Sequence, residues 1–184
     1  FVAGPCLSKD TYLLRDSFRE SGYVPQLVAA AREINELLPE QVARHFVARI
    51  KQITGSRVER PKILVCGFAY KGWPVTDDVR GAPAAPIVNF LQDCSFQVYG
   101  HDYVVSSETV SASGVEVVEN LEDGLKGAHG VLFVNEHPDY RRLDIGQLTG
   151  LMETPALIYD CWRMFDSKAV ESAPGIHYSG IAFG

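Results

Sequence analysis

Cys6 carries the most pointed chemistry in the chain. It sits in Gly4-Pro5-Cys6-Leu7-Ser8-Lys9-Asp10, behind a Gly-Pro turn and ahead of an apolar-periodic stretch. That arrangement predicts a helix opening at the thiol. The partial positive charge of a helix N-terminus and the nearby Lys9 ammonium both favour a nucleophilic thiolate. Asp10 lies one turn further on the same helical face, placed to orient water or take a proton. A small buried thiol beside a solvated Lys-Asp pair is the alternative local reading.

Three other places carry candidate chemistry. Gly67-Phe68-Ala69-Tyr70-Lys71-Gly72 follows a short apolar run. It has the position of a dinucleotide loop but neither GxGxxG nor the Gly-Lys-Ser/Thr of a P-loop. Tyr70 suits stacking on a base or sugar, and Lys71 suits pairing with phosphate; a plain surface loop is the alternative. Arg80, after Thr76-Asp77-Asp78-Val79, is either a phosphate fork or half of a structural ion pair. Trp162-Arg163 follows another apolar run and would cover a ligand or cap the core. His101 and His137 lack a second metal ligand at suitable spacing and read as strand-end residues, so no metal site is assigned.

These residues need a frame. Residues 7–21 read as a helix ended by Ser21-Gly22, and residues 25–53 as a long amphipathic helix interrupted by Pro39, either as a kink or as the first turn of a new helix. Such a rod must bury its apolar stripe against its own domain or a second subunit. Thr54-Gly55-Ser56 and Glu59-Arg60-Pro61 form a polar linker. Strands follow at 62–67, 96–100, 115–118, 130–134, 156–160 and 177–183, with helices at 83–94 and 121–127. The alternation predicts an α/β chain: a long-helix segment, then a Rossmann-like open parallel sheet with crossover helices. Ligands of such sheets sit beyond the carboxyl ends of the strands. That rule selects Gly67–Gly72, His101-Asp102, Asn135-Glu136-His137 and Asp160–Arg163.

The composition excludes several classes. The 184 residues are 46% hydrophobic and 22% charged with a formal charge of −6, so neither nucleic acid nor an anionic membrane is expected as partner. Charge is uneven: residues 1–60 hold nine Lys and Arg against seven Asp and Glu, residues 61–184 eight against sixteen. An anionic ligand must therefore be met by a few placed cations. The four cysteines form no CxxC pair; Cys66 and Cys161 lie in apolar runs and read as buried thiols. Free thiols and no signal peptide predict a cytoplasmic protein. The chain opens on Phe inside a candidate functional loop and reads as a piece of a longer protein.

Taken in order, Gly-Pro-Cys-Leu-x-Lys-Asp, Ile34-Asn35 on the long helix, Gly-Phe-Ala-Tyr-Lys, Thr-Asp-Asp-Val-Arg-x-x-Pro-Ala and a late strand ending in Asp before an Arg resemble the UDP-glucose/GDP-mannose dehydrogenase family of nucleotide-sugar 6-dehydrogenases. The resemblance covers nearly the whole chain. It implies that residues 1–60 end a central helical dimerisation domain and that 61–184 form a C-terminal nucleotide-sugar-binding domain. It implies NAD as cofactor, a UDP-sugar as substrate and a homodimer. It also implies a C6 alcohol oxidised to a carboxylate through a thiohemiacetal and thioester on Cys6.

By the same resemblance Asp10 handles water or a proton, and Gly4, Tyr70 and Lys71 contact the nucleotide sugar. Lys9 lies on the cofactor side and Arg80 reaches NAD. The family's substrate-contacting Arg after the late strand is Trp162 here, with Arg163 one position on as a substitute. The family's GxGxxG domain and its upstream Lys and Asn are absent, so this stretch alone is expected to be inactive. The alternatives are a non-catalytic nucleotide-sugar-binding or dimerisation module, and an ordinary NAD-binding domain in which Asp102 is the only candidate acidic residue.

Overall fold

The first helix, α1 (Leu7–Ser17), gives way to a short 3-10 turn at Arg19–Ser21, which Gly22 ends in the left-handed conformation that glycine adopts without strain. The regular helix therefore stops earlier than the sequence pattern predicts. The second, α2 (Gln26–Thr54), runs through Pro39 without a break. The turns after Pro39 account for its continuity: Val42, Ala43, Phe46, Val47 and Ile50 are all buried on one face, and that burial offsets the hydrogen bond proline cannot donate. The half before Pro39 differs. Leu27, Ile34 and Leu37 are 84%, 68% and 48% exposed, so the apolar stripe finds cover along only half its length.

The computed structural model describes residues 1–55 and 58–183; Ser56 of the expected linker lies outside the described residues. Six strands, β1 (Lys62–Cys66), β2 (Gln97–His101), β3 (Glu116–Val117), β4 (Gly130–Phe133), β5 (Ala156–Asp160) and β6 (Ile176–Ser179), pair in parallel in the order β3-β2-β1-β4-β5-β6. The expected long last strand is shorter. After Ser179 the chain turns back, with Gly180 and Phe183 bonded to each other's backbone.

Alternation along β1 builds both layers. Ile63 and Val65 join Phe46, Ile50, Ile87 and Leu91 on the face covered by α2 and α3 (Ala84–Asp93). Leu64 and Cys66 join Leu125, Phe133, Tyr140 and Tyr178 on the other. A strand apolar on both faces is what a sheet covered on both sides requires. The second face is covered by short helices, α5 (Leu121–Leu125), α6 (Pro138–Arg141), α7 (Ile145–Gly150) and α8 (Ser167–Glu171), while α4 (Ser107–Ser111) adds Val110 to the first. No helix among the described residues is long and apolar enough to cross a membrane.

The strand order reverses at β1, whose neighbours are β2 on one side and β4 on the other. The loops after β1, β4 and β5 therefore meet beside the switch point, where an open α/β sheet offers a crevice.

Candidate functional site

Cys6 caps the N-terminus of α1. Its carbonyl accepts from Lys9 N and Asp10 N, both at 3.0 Å, while its side chain makes no capping bond and is exposed. The thiol is thus free for chemistry at the helix mouth, rather than buried as the alternative local reading has it. Lys9 Nζ donates to Asp10 Oδ1 at 3.0 Å, and that bond raises the Lys9 ammonium above its ordinary value.

The approach to Cys6 is built by backbone. Asn35 on α2 grips the peptide of Val2, accepting from its N–H at 2.7 Å and donating to its carbonyl at 2.8 Å. Gly4 has φ +102°, and a Cβ there would stand 3.0 Å from Tyr70 Cε2. Only glycine lets the chain pass so close to the ring. Gly81, in the turn that carries Arg80, lies near Gly4 as well: a Cβ there would stand 3.8 Å from Gly4 N. Cys6, Gly4, Tyr70 and the Arg80 turn therefore form one neighbourhood, though they come from three separate stretches of sequence.

Tyr70 and Lys71 ride on a loop that is held at several points. The Asp102 carboxylate accepts from Phe68 N at 2.6 Å and Ala69 N at 3.4 Å, and also from Val104 N and Val105 N. Tyr70 N donates to Asp78 O at 3.0 Å, and Asn135 Nδ2 to Ala69 O at 3.4 Å. Gly72 lies directly on the backbone of Glu136 and His137. Lys71 Nζ sits 5.2 Å from the Tyr70 ring centroid, a cation–π contact that leaves the ammonium without an acidic partner among the described residues. Arg80 is engaged: its guanidinium clasps Asp78 through three bonds, the closest at 2.7 Å, and holds that carboxyl down to about 2. Of the two readings of Arg80, the ion pair is the one formed, with Asp78.

A cleft of about 130 Å³ opens beside Tyr70. The sheet side is Tyr70, Val134, Cys161 and Trp162, beyond β1, β4 and β5; Pro39 and Val42 of α2 and Ile87 of α3 face them. Phe1 also lines it, so the segment gripped by Asn35 runs from the cleft to Cys6. Burial pushes the Cys161 thiol up to about 12, with Asp160 adding to the shift, so this wall is neutral.

Trp162 and Arg163 part company. Asp160, fully buried, accepts from Trp162 N at 2.9 Å, Met164 N at 2.5 Å, Phe165 N at 3.2 Å and Tyr178 Oη at 2.9 Å. Trp162 Nε1 donates to Val134 O at 2.8 Å, which fixes the indole at the cleft. Arg163 has φ +52°, and its guanidinium lies 4.6 Å from the Phe183 ring centroid, facing a separate hollow with Phe165 and Tyr178. The structure brings Gly4, Tyr70 and the Arg80 turn together near Cys6 and leaves Arg163 outside that group.

The two histidines turn inward. His101 Nδ1 and Tyr140 Oη are 2.9 Å apart, and Tyr140 Oη also donates to His101 O at 2.9 Å. The single phenolic proton goes to the carbonyl, so Nδ1–H of His101 must be the donor in the other bond. His137 caps α6 by accepting from Asp139 N. No trio of His, Cys, Asp or Glu among the described residues is placed to hold a metal.

A bound dinucleotide does not fit the end of β1. The Phe68 N–H that would meet a pyrophosphate is taken by Asp102, the acidic residue that would otherwise meet a ribose. The next helix, α3, does not begin until Ala84, so the loop does not run directly into a helix N-terminus as a dinucleotide loop does.

Sequence reading missed Asn35 as a clamp and Val134 as a cleft wall, while Cys161 lies within the strand-end stretch Asp160–Arg163 that it selected.

Residues 64–167 match the model of the UDP-glucose/GDP-mannose dehydrogenase family, UDP binding domain. The chain is 29% identical over 178 residues to UDP-glucose 6-dehydrogenase TuaD of Bacillus subtilis, covering 96% of this chain and 37% of that protein. It is 29% identical over 143 residues to UDP-N-acetyl-D-mannosamine dehydrogenase of Pyrococcus horikoshii, covering 78% of this chain and 31% of that protein. Among solved structures, UDP-D-ManNAc dehydrogenase of Pyrococcus horikoshii superposes with a TM-score of 0.77 at 26% identity, over 98% of this chain and 38% of that one. An NDP-N-acetyl-D-galactosaminuronic acid dehydrogenase of Methanosarcina mazei gives 0.83 at 23% identity, over 98% and 38%, and speaks to the fold alone. The chain spans under two fifths of the length of these relatives.

Proposed function

Because the chain belongs to the UDP-glucose/GDP-mannose dehydrogenase family, we propose that it is the nucleotide-sugar-binding part, with the thiol segment, of an NAD-dependent UDP-sugar 6-dehydrogenase. One observation carries this reading: Gly4, two residues from Cys6, lies against the ring of Tyr70 in the family's UDP binding domain. A ligand held at Tyr70 and Lys71 would thereby present its far end to the thiol.

In this reading Lys71 pairs with the diphosphate, Tyr70 and Gly4 border the sugar, and Cys6 captures it at C6. The thiolate adds to the C6 aldehyde: a C–S bond forms, the carbonyl electron pair moves to oxygen, and that oxygen takes a proton relayed by Asp10. NAD supplies the hydride acceptor for the oxidations. Since the end of β1 does not fit it, its site is assigned to a part of the protein this chain does not cover, with Lys9 and Arg80 as the cations contributed from here. Residues 1–60 are assigned to a helical dimerisation domain and 61–184 to the nucleotide-sugar domain. The exposed Leu27, Ile34 and Leu37 support a second copy on the first half of α2.

Calorimetric titration of the full-length parent protein with UDP, GDP and their hexose conjugates tests the proposal. UDP and its conjugate should bind, and Lys71→Ala should weaken them about 10- to 150-fold, the loss of a charge-assisted contact. Binding that is absent for every nucleotide, or unchanged in Lys71→Ala, refutes it.

A further inference from the structure

Cys6 stands at the mouth of a helix that sends nothing into the core. No residue of α1 is buried, nor any of the 3-10 turn that follows it. Local bonds shape the thiol segment: Gly4 O accepts from Ser8 Oγ at 3.0 Å and from Ser8 N at 3.4 Å, which closes the chain around Cys6. Those bonds are internal to the segment. They fix its shape and not its place.

The place is set by polar contacts from the first half of α2. Asn35 holds both polar groups of the Val2 peptide, the N–H at 2.7 Å and the carbonyl at 2.8 Å. The Val2 side chain is left out of this grip, and the residue is 53% exposed. A carboxamide presents one acceptor and one donor in a single plane, which matches the N–H and C=O of one residue. Arg32, three residues earlier and so on the same side of α2, donates to Leu7 O at 3.4 Å, on the other side of Cys6. Its side chain is 12% exposed and is fixed by Glu36, to which the Tyr12 hydroxyl of α1 also donates. The helix α2 thus grips the chain before the thiol, just after it, and again further along α1.

We propose that Asn35 is a positioning residue for Cys6, with Arg32 as the second arm of the clamp, so that α2 sets where the thiol stands over the bound sugar. The proposal rests on the dehydrogenase reading above and adds the device that serves its capture step. In that reading the C6 alcohol gives up one hydride and becomes an aldehyde. The Cys6 thiolate must then add to the aldehyde carbon before the aldehyde leaves. The thiohemiacetal gives up a second hydride and becomes a thioester, which water cleaves to the carboxylate and the free thiol. Each carboxylate therefore accounts for two NADH. The first oxidation proceeds without the thiol and the second requires it. A displaced thiol lets aldehyde escape, and more than two NADH then form per carboxylate.

The test compares the full-length parent protein with Asn35→Ala, which removes both bonds and favours the helix. Turnover to carboxylate should fall about 10- to 100-fold, the cost of misplacing a reacting group by about an ångström. KM for the UDP-sugar should stay within about threefold of the parent, because Tyr70 and Lys71 are untouched. NADH per carboxylate should rise above two. Amide exchange at Val2 should quicken while that of Leu64 in β1 does not. Arg32→Met should move the same ratio in the same direction, and it carries the test if Asn35→Ala fails to fold. A merely less folded variant loses turnover with the ratio held at two. That result, or turnover equal to the parent's, would overturn the proposal. A parent that forms no carboxylate from any UDP-sugar would instead sink the dehydrogenase reading itself.

Discussion

Removing the Asp160 carboxylate should cost stability and the cleft together. Asp160 is fully buried at the end of β5 and serves four donors. Three are backbone N–H groups of Trp162, Met164 and Phe165 in a part-buried turn that can rehydrate. Each is therefore counted at about 0.5–1 kcal/mol, the net value of an ordinary hydrogen bond. The fourth, Tyr178 Oη, is buried, and stranding it costs about 1–3 kcal/mol. Asp160→Ala should then destabilise the protein by about 2.5–6 kcal/mol.

Asp160→Asn separates charge from geometry. Its amide oxygen serves the three donors now on Oδ2, and its NH₂ faces only Trp162 N, so the cost falls to about 1–2 kcal/mol. Urea unfolding at neutral pH gives both values from the midpoint and slope. A cost for Asp160→Asn equal to that of Asp160→Ala would refute the assignment of donors to the two oxygens. A cost for Asp160→Ala below about 1 kcal/mol would refute the buried-network reasoning altogether.

Two further outcomes rest on the same kind of geometry. Gly72→Ala puts a Cβ inside the van der Waals envelope of His137 N and Glu136 C, which are backbone atoms that cannot rotate away. It should cost about 3 kcal/mol, the upper end for overpacking, and weaken UDP binding by shifting Lys71; a urea midpoint equal to the parent's would contradict it. Burial lowers His101 below the ordinary histidine value, against the raising influence of Asp102 and Glu122. As pH falls, the unfolded chain takes up this proton near 6.5 while the native protein still refuses it, so the stabilisation is complete above that value and is lost below it. Between about pH 7.5 and 5.5, parent stability should decline more steeply than that of His101→Gln, and parallel slopes would count against the argument.

The sheet and the long helix were legible because each carries a periodic signal. Ile63–Cys66, Val131–Phe133 and Leu157–Tyr159 are uninterrupted apolar runs, and Val42, Phe46 and Ile50 keep helical spacing. Four helices of four to six residues were not legible, since they are too short to show a period. Their only mark is the cap: Ser106, His137, Asp144 and Asp166 each accept a backbone N–H with the side chain. At Pro39 no new helix starts, because burial of the following turns outweighs the broken hydrogen bond. At the site, the strand-end rule found the right loops but not the right side chains. Trp162 and Arg163 are adjacent, and the left-handed backbone at Arg163 sends one to the cleft and the other to Phe183. A single dihedral decides that outcome, and no spacing in the sequence reports it.

Asp102 and Asp160 show how this sheet departs from a dinucleotide-binding one. Each stands at the end of a strand, the place where sequence reasoning expects ligand chemistry. Each instead collects the free N–H groups of its neighbouring loop: Phe68, Ala69, Val104 and Val105 for Asp102, and Trp162, Met164 and Phe165 for Asp160. Those amides are the groups that would cradle a phosphate in a nucleotide loop. With the carboxylates in place they are satisfied before any ligand arrives, and an added anion would meet fixed negative charge. The loops gain rigidity, which holds Tyr70 and Trp162 in place, and they lose the capacity to bind phosphate through backbone. In the proposed function, phosphate recognition then passes to side chains, and Lys71 is the cation near the cleft that no acidic group among the described residues already holds. The same reasoning makes Asp102→Ala informative beyond its stability cost: freeing Phe68 N–H should let the loop accept an anion it now repels, so that inorganic phosphate protects the variant, and not the parent, against urea.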